Sequence, residues 1–306
     1  METKPFKVLS IQGHVVSGYV GNSCAAFVLQ VLGFEVDAIN SVQISNQGSF
    51  GSWKGVIFTE KNLADLMEDL ESKGFDKDYT HLLTGYVASP SFLNYIEKVV
   101  KQLRKNNPDL IYVCDPVLGV NGKLYVPESL IEIYREKILP LADIVIPNQY
   151  EAELLTGKPI LDAEDAWTAI ENLHSAGCTT VVISSTHLGY DNYLLAFGST
   201  MKGKIRTTAT IKTPLLDATF IGTGDLFSAL FLAWMSKTNN NLPTALEMTT
   251  ATVQAVLERT IIFAKNAASL GRKPVKNRMP LKLVQSKADI EEPKVIIRCK
   301  SGTEEN

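Results

Sequence analysis

The chain has few cysteines, no long apolar run and no large excess of charge of either sign. Its four cysteines, Cys24, Cys114, Cys178 and Cys299, are widely spaced and form no C-x-x-C pair. They predict reduced, buried thiols rather than a disulfide framework or a zinc site. No stretch approaches the roughly 20 apolar residues that span a bilayer. We therefore expect no membrane-spanning segment.

Charge and composition exclude other classes of protein. A net charge of −3 gives no electrostatic reason to expect nucleic acid or an anionic membrane as a partner. The first seven residues are charged and lack the apolar core of a secretory signal, so we expect a cytoplasmic protein. The 306 residues contain no internal repeat or low-complexity linker. They predict a single domain over residues 1–306, with a polar, frayed tail from about Ser301.

Short β-branched runs alternate with longer amphipathic segments, a pattern typical of a mostly parallel sheet flanked by helices. The predicted strands are Lys7 to Gln12, Glu35 to Ile44, His81 to Leu83, Ile111 to Cys114, Asp143 to Ile146 and Thr179 to Ile183. The predicted helices are Asn22 to Leu32, Glu60 to Lys73, Pro90 to Lys105, Pro127 to Leu139, Glu151 to Thr156, Ala163 to Ala176, Leu226 to Met235 and Pro243 to Ser269. Two antiparallel strands, Tyr193 to Gly198 and Lys204 to Lys212, are expected to complete the sheet.

The glycine-rich turn Gly222-Thr223-Gly224-Asp225 precedes the helix from Leu226. Its glycines let backbone N–H groups converge at a helix start, which favours an anion site. Because a carboxylate repels a bound phosphate, an aspartate here indicates a separate function, such as deprotonating an attacking hydroxyl. Asp225 as a simple helix cap is an equally good interpretation of these four residues alone.

Polar residues follow several other predicted strands. Asp115 comes directly after an apolar strand, where a carboxylate can hold a cation, although Asp-Pro also forms turns. Asn148 and Glu151 lie three apart at a helix start, and Ser184 and Ser185 follow another strand. Because parallel strands end at the same edge of a sheet, we expect these groups to lie together. With the glycine turn they supply the parts that phosphoryl transfer from a nucleotide requires.

Two common nucleotide motifs are missing. The chain has no G-x-x-x-x-G-K-[ST] sequence, which excludes a P-loop enzyme. The spacing of Gly13, Gly18 and Gly21 is not G-x-G-x-x-G, so a nicotinamide-binding fold is not favoured. The basic stretch from Gly271 to Pro280 is more typical of a solvated loop than of a contact patch.

The glycine turn resembles that of the ribokinase superfamily, and within it the chain is similar to the pyridoxal kinases over nearly its whole length. The matching blocks, in family order, are Leu9-Ser10-Ile11-Gln12, His14-Val15, Gly18 to Asn22, Asn40 to Gln43, Leu83 to Tyr86, Val113 to Gly119, Tyr125 to Glu128 and Pro147 to Gln149. The resemblance implies a three-layer α/β/α sandwich. It also implies transfer of the ATP γ-phosphate to the 5′-hydroxymethyl group of pyridoxal, pyridoxine or pyridoxamine, in a homodimer.

The same resemblance implies roles for individual residues. Asp225 would be the base, with the N–H groups of Gly222, Thr223 and Gly224 as the anion hole. The residues implied for the vitamin are Gly13, Val42, Ile44, Gly48, Tyr86 and Tyr125, with Tyr86 stacking on the pyridine ring and Tyr125 on a closing loop. Those implied for ATP are Asp115, Asn148, Ser184, Ser185, Leu216, Asp217, Ala218, Thr223 and Gly224. Asp115 and Glu151 would organise Mg²⁺, and Asp115, the Ile146 carbonyl and Ser184 a monovalent cation, K⁺ or Na⁺.

Several positions depart from the family pattern. Gly13 and Gly48 stand where hydroxyl residues are usual, and two lost hydrogen bonds would weaken vitamin binding about 5- to 150-fold. The loop after Gly119 is short and has Val120 and Asn121 where an acid is common, and Ile146 replaces a threonine. These departures leave two alternatives open: a hydroxymethylpyrimidine-type kinase, and a vitamin- or nucleotide-binding protein with little catalysis.

Overall fold

The computed structural model describes residues 5–47, 52–188, 190, 192–270 and 279–305. Gly48, and residues 271–278 of the basic stretch, lie outside this part of the chain. The strands are β1 Lys7–Ser17, β2 Glu35–Asn46, β3 Gly55–Ile57, β4 His81–Thr84, β5 Ile111–Cys114, β6 Gly119–Val120, β7 Lys123–Leu124, β8 Ile144–Val145, β9 Thr180–Thr186, β10 Tyr193–Lys202, β11 Ile205–Pro214, β12 Phe220–Ile221, β13 Met279–Pro280 and β14 Lys300–Glu305. The α-helices are α1 Asn22–Val31, α2 Glu60–Ser72, α3 Pro90–Asn106, α4 Ser129–Ile133, α5 Gln149–Thr156, α6 Ala163–Ser175, α7 Thr223–Lys237, α8 Leu242–Ser269 and α9 Lys287–Glu291.

A central sheet of ten strands has the order β14-β11-β10-β9-β8-β5-β4-β1-β2-β3. Its middle six strands, from β9 to β2, run parallel, so their carboxyl ends share one edge. The added strands β3, β10, β11 and β14 are antiparallel to their neighbours. The expectation of an α/β fold with a mostly parallel sheet is confirmed.

Successive residues of each strand direct their side chains to opposite faces of the sheet, where two separate cores lie. Leu9, Leu82 and Tyr112 pack with residues of α2 to α6 on one face of the sheet. Their chain neighbours Val8, Leu83 and Val113 pack with residues of α1, α7 and α8 on the other face. This alternation is the period of two that a strand imposes on its side chains. The result is the expected three-layer arrangement.

The structure corrects several predicted boundaries. β1 continues past Gln12 to Ser17, so Gly13 lies within a strand, and Ser184 and Ser185 lie within β9 rather than after it. The predicted helix from Pro127 to Leu139 is instead a short α4, a π-helical turn at Tyr134–Ile138 and a 3₁₀ turn at Leu139–Leu141. The predicted strand from Asp143 to Ile146 shortens to Ile144–Val145. No helix in the described residues is long and apolar enough to cross a bilayer.

The chain end also differs from the prediction. Residues from Ser301 were expected to fray because they are polar, yet Lys300–Glu305 forms β14 and pairs with β11. All six residues of β14 are exposed, which explains the polar sequence. Backbone hydrogen bonds at the sheet edge, rather than apolar burial, hold this segment.

The core contains a buried histidine that ties the start of β4 to α7. The ring nitrogens of His81 lie 2.8 Å from Oγ1 of Thr80 and 2.9 Å from Oγ of Ser236. The rings of Phe6 and Phe34 pack edge-on against it. Burial lowers the pKa of His81 to about 4. The imidazole is therefore neutral in the folded protein at neutral pH.

We predict that His81 makes the fold less stable in mild acid. The unfolded chain protonates this histidine near pH 6.5, whereas the folded chain resists protonation down to about 4, so acid favours unfolding. Between pH 8 and pH 5 its contribution should fall by about 2 kcal/mol. Urea unfolding of wild type and His81→Gln at both values measures this difference. In the exposed variant His187→Asn, the free energy of unfolding should change between the two pH values as much as in wild type. An equally large change in His81→Gln would contradict the prediction.

Candidate active site

The glycine turn begins α7 in a conformation that depends on glycine. Gly222 is the N-cap residue, with a φ of 87° and no side-chain cap. A Cβ there would lie 2.1 Å from the carbonyl oxygen of Tyr19, so no larger residue fits. The first N–H groups of any helix lack intrahelical acceptors. The N–H groups of Thr223 and Gly224 therefore lack intrahelical acceptors, and with the positive end of the helix dipole they favour an anion at this end of α7.

Asp225 is buried in the first turn of α7. Burial raises the pKa of its carboxyl group, while hydrogen bonds from the N–H of Gly21 and from its own N–H oppose that rise. Because the N-cap residue is Gly222, Asp225 is not the cap that the alternative interpretation required. Its contact with Gly21 instead links the glycine turn to the start of α1. A buried carboxylate with a raised pKa is suited to accept a proton.

Gly21 joins Asp225 to the region predicted to bind the vitamin. It has a φ of 57°, and a Cβ on it would lie 1.9 Å from the carbonyl oxygen of Gly13. A Cβ on Gly13 would lie 3.2 Å from Cδ1 of Tyr86 and 3.2 Å from Cγ2 of Val42. The structure thus brings Gly13, Val42 and Tyr86 together and connects them through Gly21 to Asp225. Ile44 lies two residues further along β2, paired with Val15.

Asp115 is buried at the end of β5, facing the start of α7. Its Oδ2 accepts a hydrogen bond of 2.7 Å from Oγ of Ser228. A Cβ on Gly224 would lie 3.8 Å from the same oxygen, so the glycine leaves space between the helix start and this carboxylate. Burial, followed by the charges of Glu151 and Asp225, raises the pKa of Asp115 well above its usual range, and the Ser228 hydroxyl opposes this. The three carboxyl groups therefore lie close enough for their charges to interact.

Glu151 is bound on both carboxylate oxygens by backbone N–H groups. Oε1 accepts from Leu118 at 3.0 Å and from Gly119 at 3.4 Å, and Oε2 accepts from Asn148 at 2.9 Å. The Asn148 side chain accepts in return from the N–H of Glu151, forming a capping box at α5. The pKa of Glu151 is raised to about 7, because the effect of burial exceeds the opposing effect of the three N–H groups. This residue fixes the start of the β6–β7 hairpin.

The remaining predicted residues lie around the same edge. Nδ2 of Asn148 donates to the carbonyl of Gly119 at 2.9 Å, and the Ser184 hydroxyl donates to the carbonyl of Pro147 at 3.3 Å. Ile146 is buried beside them, Ser185 is half-buried, and Tyr125 is exposed after the β6–β7 hairpin, its N–H bonded to Leu118. Leu216 to Ala218 form a tight turn between β11 and β12.

The oxygen donors at this site fit a divalent cation that is bound partly by the protein and partly by phosphate oxygens. Within the described residues, no three acidic, histidine or cysteine side chains meet to enclose a metal by themselves. Mg²⁺ typically uses one or two carboxylates and completes its shell with phosphate oxygens and water. The buried Asp115 carboxylate beside the space at Gly224 suits such an ion. Glu151, with its oxygens bound to N–H groups, suits contact through water.

Three further contributors were not predicted from sequence. Ser228 donates a hydrogen bond to Asp115, and the N–H of Gly21 donates one to Asp225. The carbonyl oxygen of Tyr19 packs against Gly222. Ser228 left a detectable signal: it is a polar residue within an apolar helix, three positions after Asp225 and hence on the same face. The other two are backbone groups, which any sequence supplies.

Known proteins resemble this chain over most of its length. The family model described as phosphomethylpyrimidine kinase matches residues 66–271. The pyridoxal kinase of Homo sapiens is 46% identical over 305 residues, covering 96% of this chain and 97% of the human protein. The chain belongs to the pyridoxal kinase family. The pyridoxal kinase of Arabidopsis thaliana is 47% identical over 295 residues, covering 96% of this chain and 94% of that protein.

Solved pyridoxal kinases share the fold. The enzyme of Leishmania donovani in complex with ADP and pyridoxamine superposes with a TM-score of 0.88 at 29% identity, covering 97% of this chain and 99% of that one. The Plasmodium falciparum protein with AMP-PNP and PL gives a TM-score of 0.84 at 26% identity, covering 98% and 100%. The predicted ribokinase-like fold is thereby confirmed, and so is the expectation of a small-molecule kinase.

We predict that Glu151→Gln loosens the β6–β7 hairpin. One carboxylate oxygen becomes an NH₂ group, which cannot accept, so at least one of the three N–H bonds is lost. Hydrogen exchange should accelerate at the Leu118, Gly119 or Asn148 amide. Asn62→Ala breaks the capping box of α2 on the surface and should leave these amides unchanged. Equal exchange in Glu151→Gln and wild type would show that the carboxylate does not hold the hairpin.

Proposed function

We propose that this member of the pyridoxal kinase family transfers the γ-phosphoryl group of ATP to the 5′-hydroxymethyl group of pyridoxal, pyridoxine and pyridoxamine. The observation that carries the proposal is the buried Asp225 carboxylate, set beside the N–H groups of the α7 start and linked through Gly21 to Gly13. The Leishmania donovani enzyme in complex with ADP and pyridoxamine supports the same pairing of nucleotide and vitamin.

The proposed reaction needs one proton acceptor and one anion site. The Asp225 carboxylate takes the proton of the 5′-hydroxyl as its oxygen attacks the γ-phosphorus, and the bond to the β,γ-bridging oxygen breaks to release ADP. The raised pKa of Asp225 makes it a stronger base than an exposed aspartate. The N–H groups of Gly222, Thr223 and Gly224 hold the transferring phosphoryl group.

The other residues divide between the two substrates. Val42, Ile44, Gly13 and Tyr86 form the vitamin side, with Tyr86 stacked on the pyridine ring and Tyr125 on the closing loop. On the nucleotide side, Asn148, Ser184 and Ser185 lie along the triphosphate, and Leu216, Asp217 and Ala218 pack near adenine. Gly48 belongs to the vitamin side of this proposal but lies outside the described residues.

We also propose two cations at this edge. Asp115 would hold Mg²⁺ directly and Glu151 through water, where the ion would neutralise charge on the triphosphate. Asp115, the Ile146 carbonyl and Ser184 would serve a monovalent cation, K⁺ or Na⁺. We further propose that the protein is a cytoplasmic homodimer, as predicted from the sequence. Sedimentation analysis would test the dimer.

A hydroxymethylpyrimidine substrate is the second candidate, because the matching family model is described as phosphomethylpyrimidine kinase. The curated relatives named pyridoxal kinase, at 46% and 47% identity over 96% of the chain, favour the vitamin. The ratio of kcat/KM for pyridoxal and for hydroxymethylpyrimidine distinguishes the two. Saturable ligand binding without ADP formation would instead identify the third alternative, a binding protein.

We predict that Asp225→Asn lowers kcat by about 10²- to 10⁴-fold, because an amide cannot accept the hydroxyl proton. The measurement is steady-state formation of pyridoxal 5′-phosphate with ATP and Mg²⁺. ADP binding should persist, since the N–H groups of α7 remain. Asp162→Asn is the matched control, because asparagine also caps α6 and the site is untouched. Equal turnover of Asp225→Asn and wild type would rule out the proposed base.

We predict that Gly13→Ala raises KM for pyridoxal several-fold and leaves KM for ATP unchanged. The added methyl group would lie 3.2 Å from both Tyr86 and Val42 and push the ring from its place. Gly13→Ser carries the same Cβ plus a hydroxyl, so the two variants separate crowding from hydrogen bonding. Pyridoxal KM values are the measurement. An unchanged value in Gly13→Ala would show that the pocket adapts without cost.

A further inference from the structure

Ser228 is a polar residue in the middle of an apolar helix, and its contact is with the site rather than with its own helix. It is 2% exposed, lies three residues after Asp225, and donates from Oγ to Oδ2 of Asp115 at 2.7 Å. Serines buried in helices commonly donate to the carbonyl four residues earlier. Ser236 in the same helix does so, to Leu232 at 2.9 Å, and its oxygen also lies 2.9 Å from Nε2 of His81. Ser228 instead reaches across to β5.

We propose that Ser228 is a positioning residue that sets the orientation of the Asp115 carboxylate toward the space beside Gly224. This inference rests on the proposed function, because that space is where Mg²⁺ and the triphosphate are expected. Ser228 does not itself touch substrate in this scheme. It acts on the cation through Asp115.

The carboxylate of an aspartate turns easily about its side-chain bond. Rotation about χ2 of aspartate is broad, so the backbone alone does not fix the plane of the carboxylate. Asp115 also experiences the charges of Glu151 and Asp225. Asp225 lies in the first turn of α7, so repulsion between the two carboxylates favours turning Asp115 away from the helix start. A short hydrogen bond from a rigid helix opposes that rotation, and bonds to a charged acceptor are stronger than neutral ones.

The position of Gly224 gives the bond its direction. A Cβ on Gly224 would lie 3.8 Å from Oδ2 of Asp115, the same oxygen that Ser228 binds. Ser228 therefore holds this oxygen beside the open space at Gly224, from the same helix. A carboxylate fixed against the start of α7 presents its charge to a cation that also contacts phosphate oxygens there. Loss of the hydroxyl leaves the buried oxygen without this donor and the carboxylate free to rotate.

The experiment measures ADP binding by calorimetry with and without Mg²⁺, in the absence of any vitamin. In Ser228→Ala the gain in ADP affinity from Mg²⁺ should fall about 10-fold, while Mg²⁺-free ADP binding stays at the wild-type value. Ser228→Thr keeps the hydroxyl and should restore most of the gain. Ser236→Ala removes a hydroxyl from the same helix away from Asp115 and should match wild type. Thermal unfolding identifies any variant that fails to fold.

A double-mutant cycle with Asp115→Asn isolates the pair. If Ser228 acts through Asp115, Ser228→Ala adds nothing to the loss caused by Asp115→Asn. A wild-type response to Mg²⁺ in Ser228→Ala, a full additional loss in the double variant, or no Mg²⁺ effect in the wild type would each overturn the inference. Failure of the proposed function appears separately, as a wild-type protein that binds Mg²⁺ and ADP but phosphorylates no vitamin.

Discussion

The site depends on keeping three acidic side chains, Asp115, Glu151 and Asp225, buried within reach of one another's charge. Burial of unpaired carboxylates is costly, so each needs donors close by. Glu151 has three N–H groups, Asp225 has that of Gly21, and Asp115 has the hydroxyl of Ser228. These donors come from four different elements or their connections. The fold must therefore bring those elements to one edge of the sheet.

The layers accomplish this through backbone contacts that tolerate no side chain. α7 is buried over most of its length between the sheet, α1 and α8, so its first turn has a fixed place. Gly222 lies against the Tyr19 carbonyl, and Gly21 lies against that of Gly13. The glycine turn, which is the proposed phosphate site, and the first strand are thus connected through backbone atoms. Such contacts hold a site more rigidly than flexible side chains do.

The sequence revealed most of the sheet and the acids at its edge, because β-branched runs and strand-end polar residues are local patterns. It gave a wrong answer for the tail, since a strand held only by edge hydrogen bonds has no apolar period. It also missed how Glu151 is used: the carboxylate binds Leu118 and Gly119, over 30 residues away in the chain. The N–H of Gly21 as the partner of Asp225 was hidden for the same reason, whereas Ser228, the partner of Asp115, was marked as a polar residue in an apolar helix.

The proposed vitamin side and the proposed catalytic side of the cleft are connected through Gly13. Its Cβ direction faces Tyr86 and Val42, while its carbonyl oxygen lies against Gly21, whose N–H binds Asp225. A shift of the Gly13 backbone therefore moves the pocket wall and the donor to Asp225 together. Because Gly13 has no Cβ, Tyr86 and Val42 approach this position more closely than a serine would permit. In the proposed function, substrate fit and the strength of the base consequently depend on one backbone segment rather than on two separate sites.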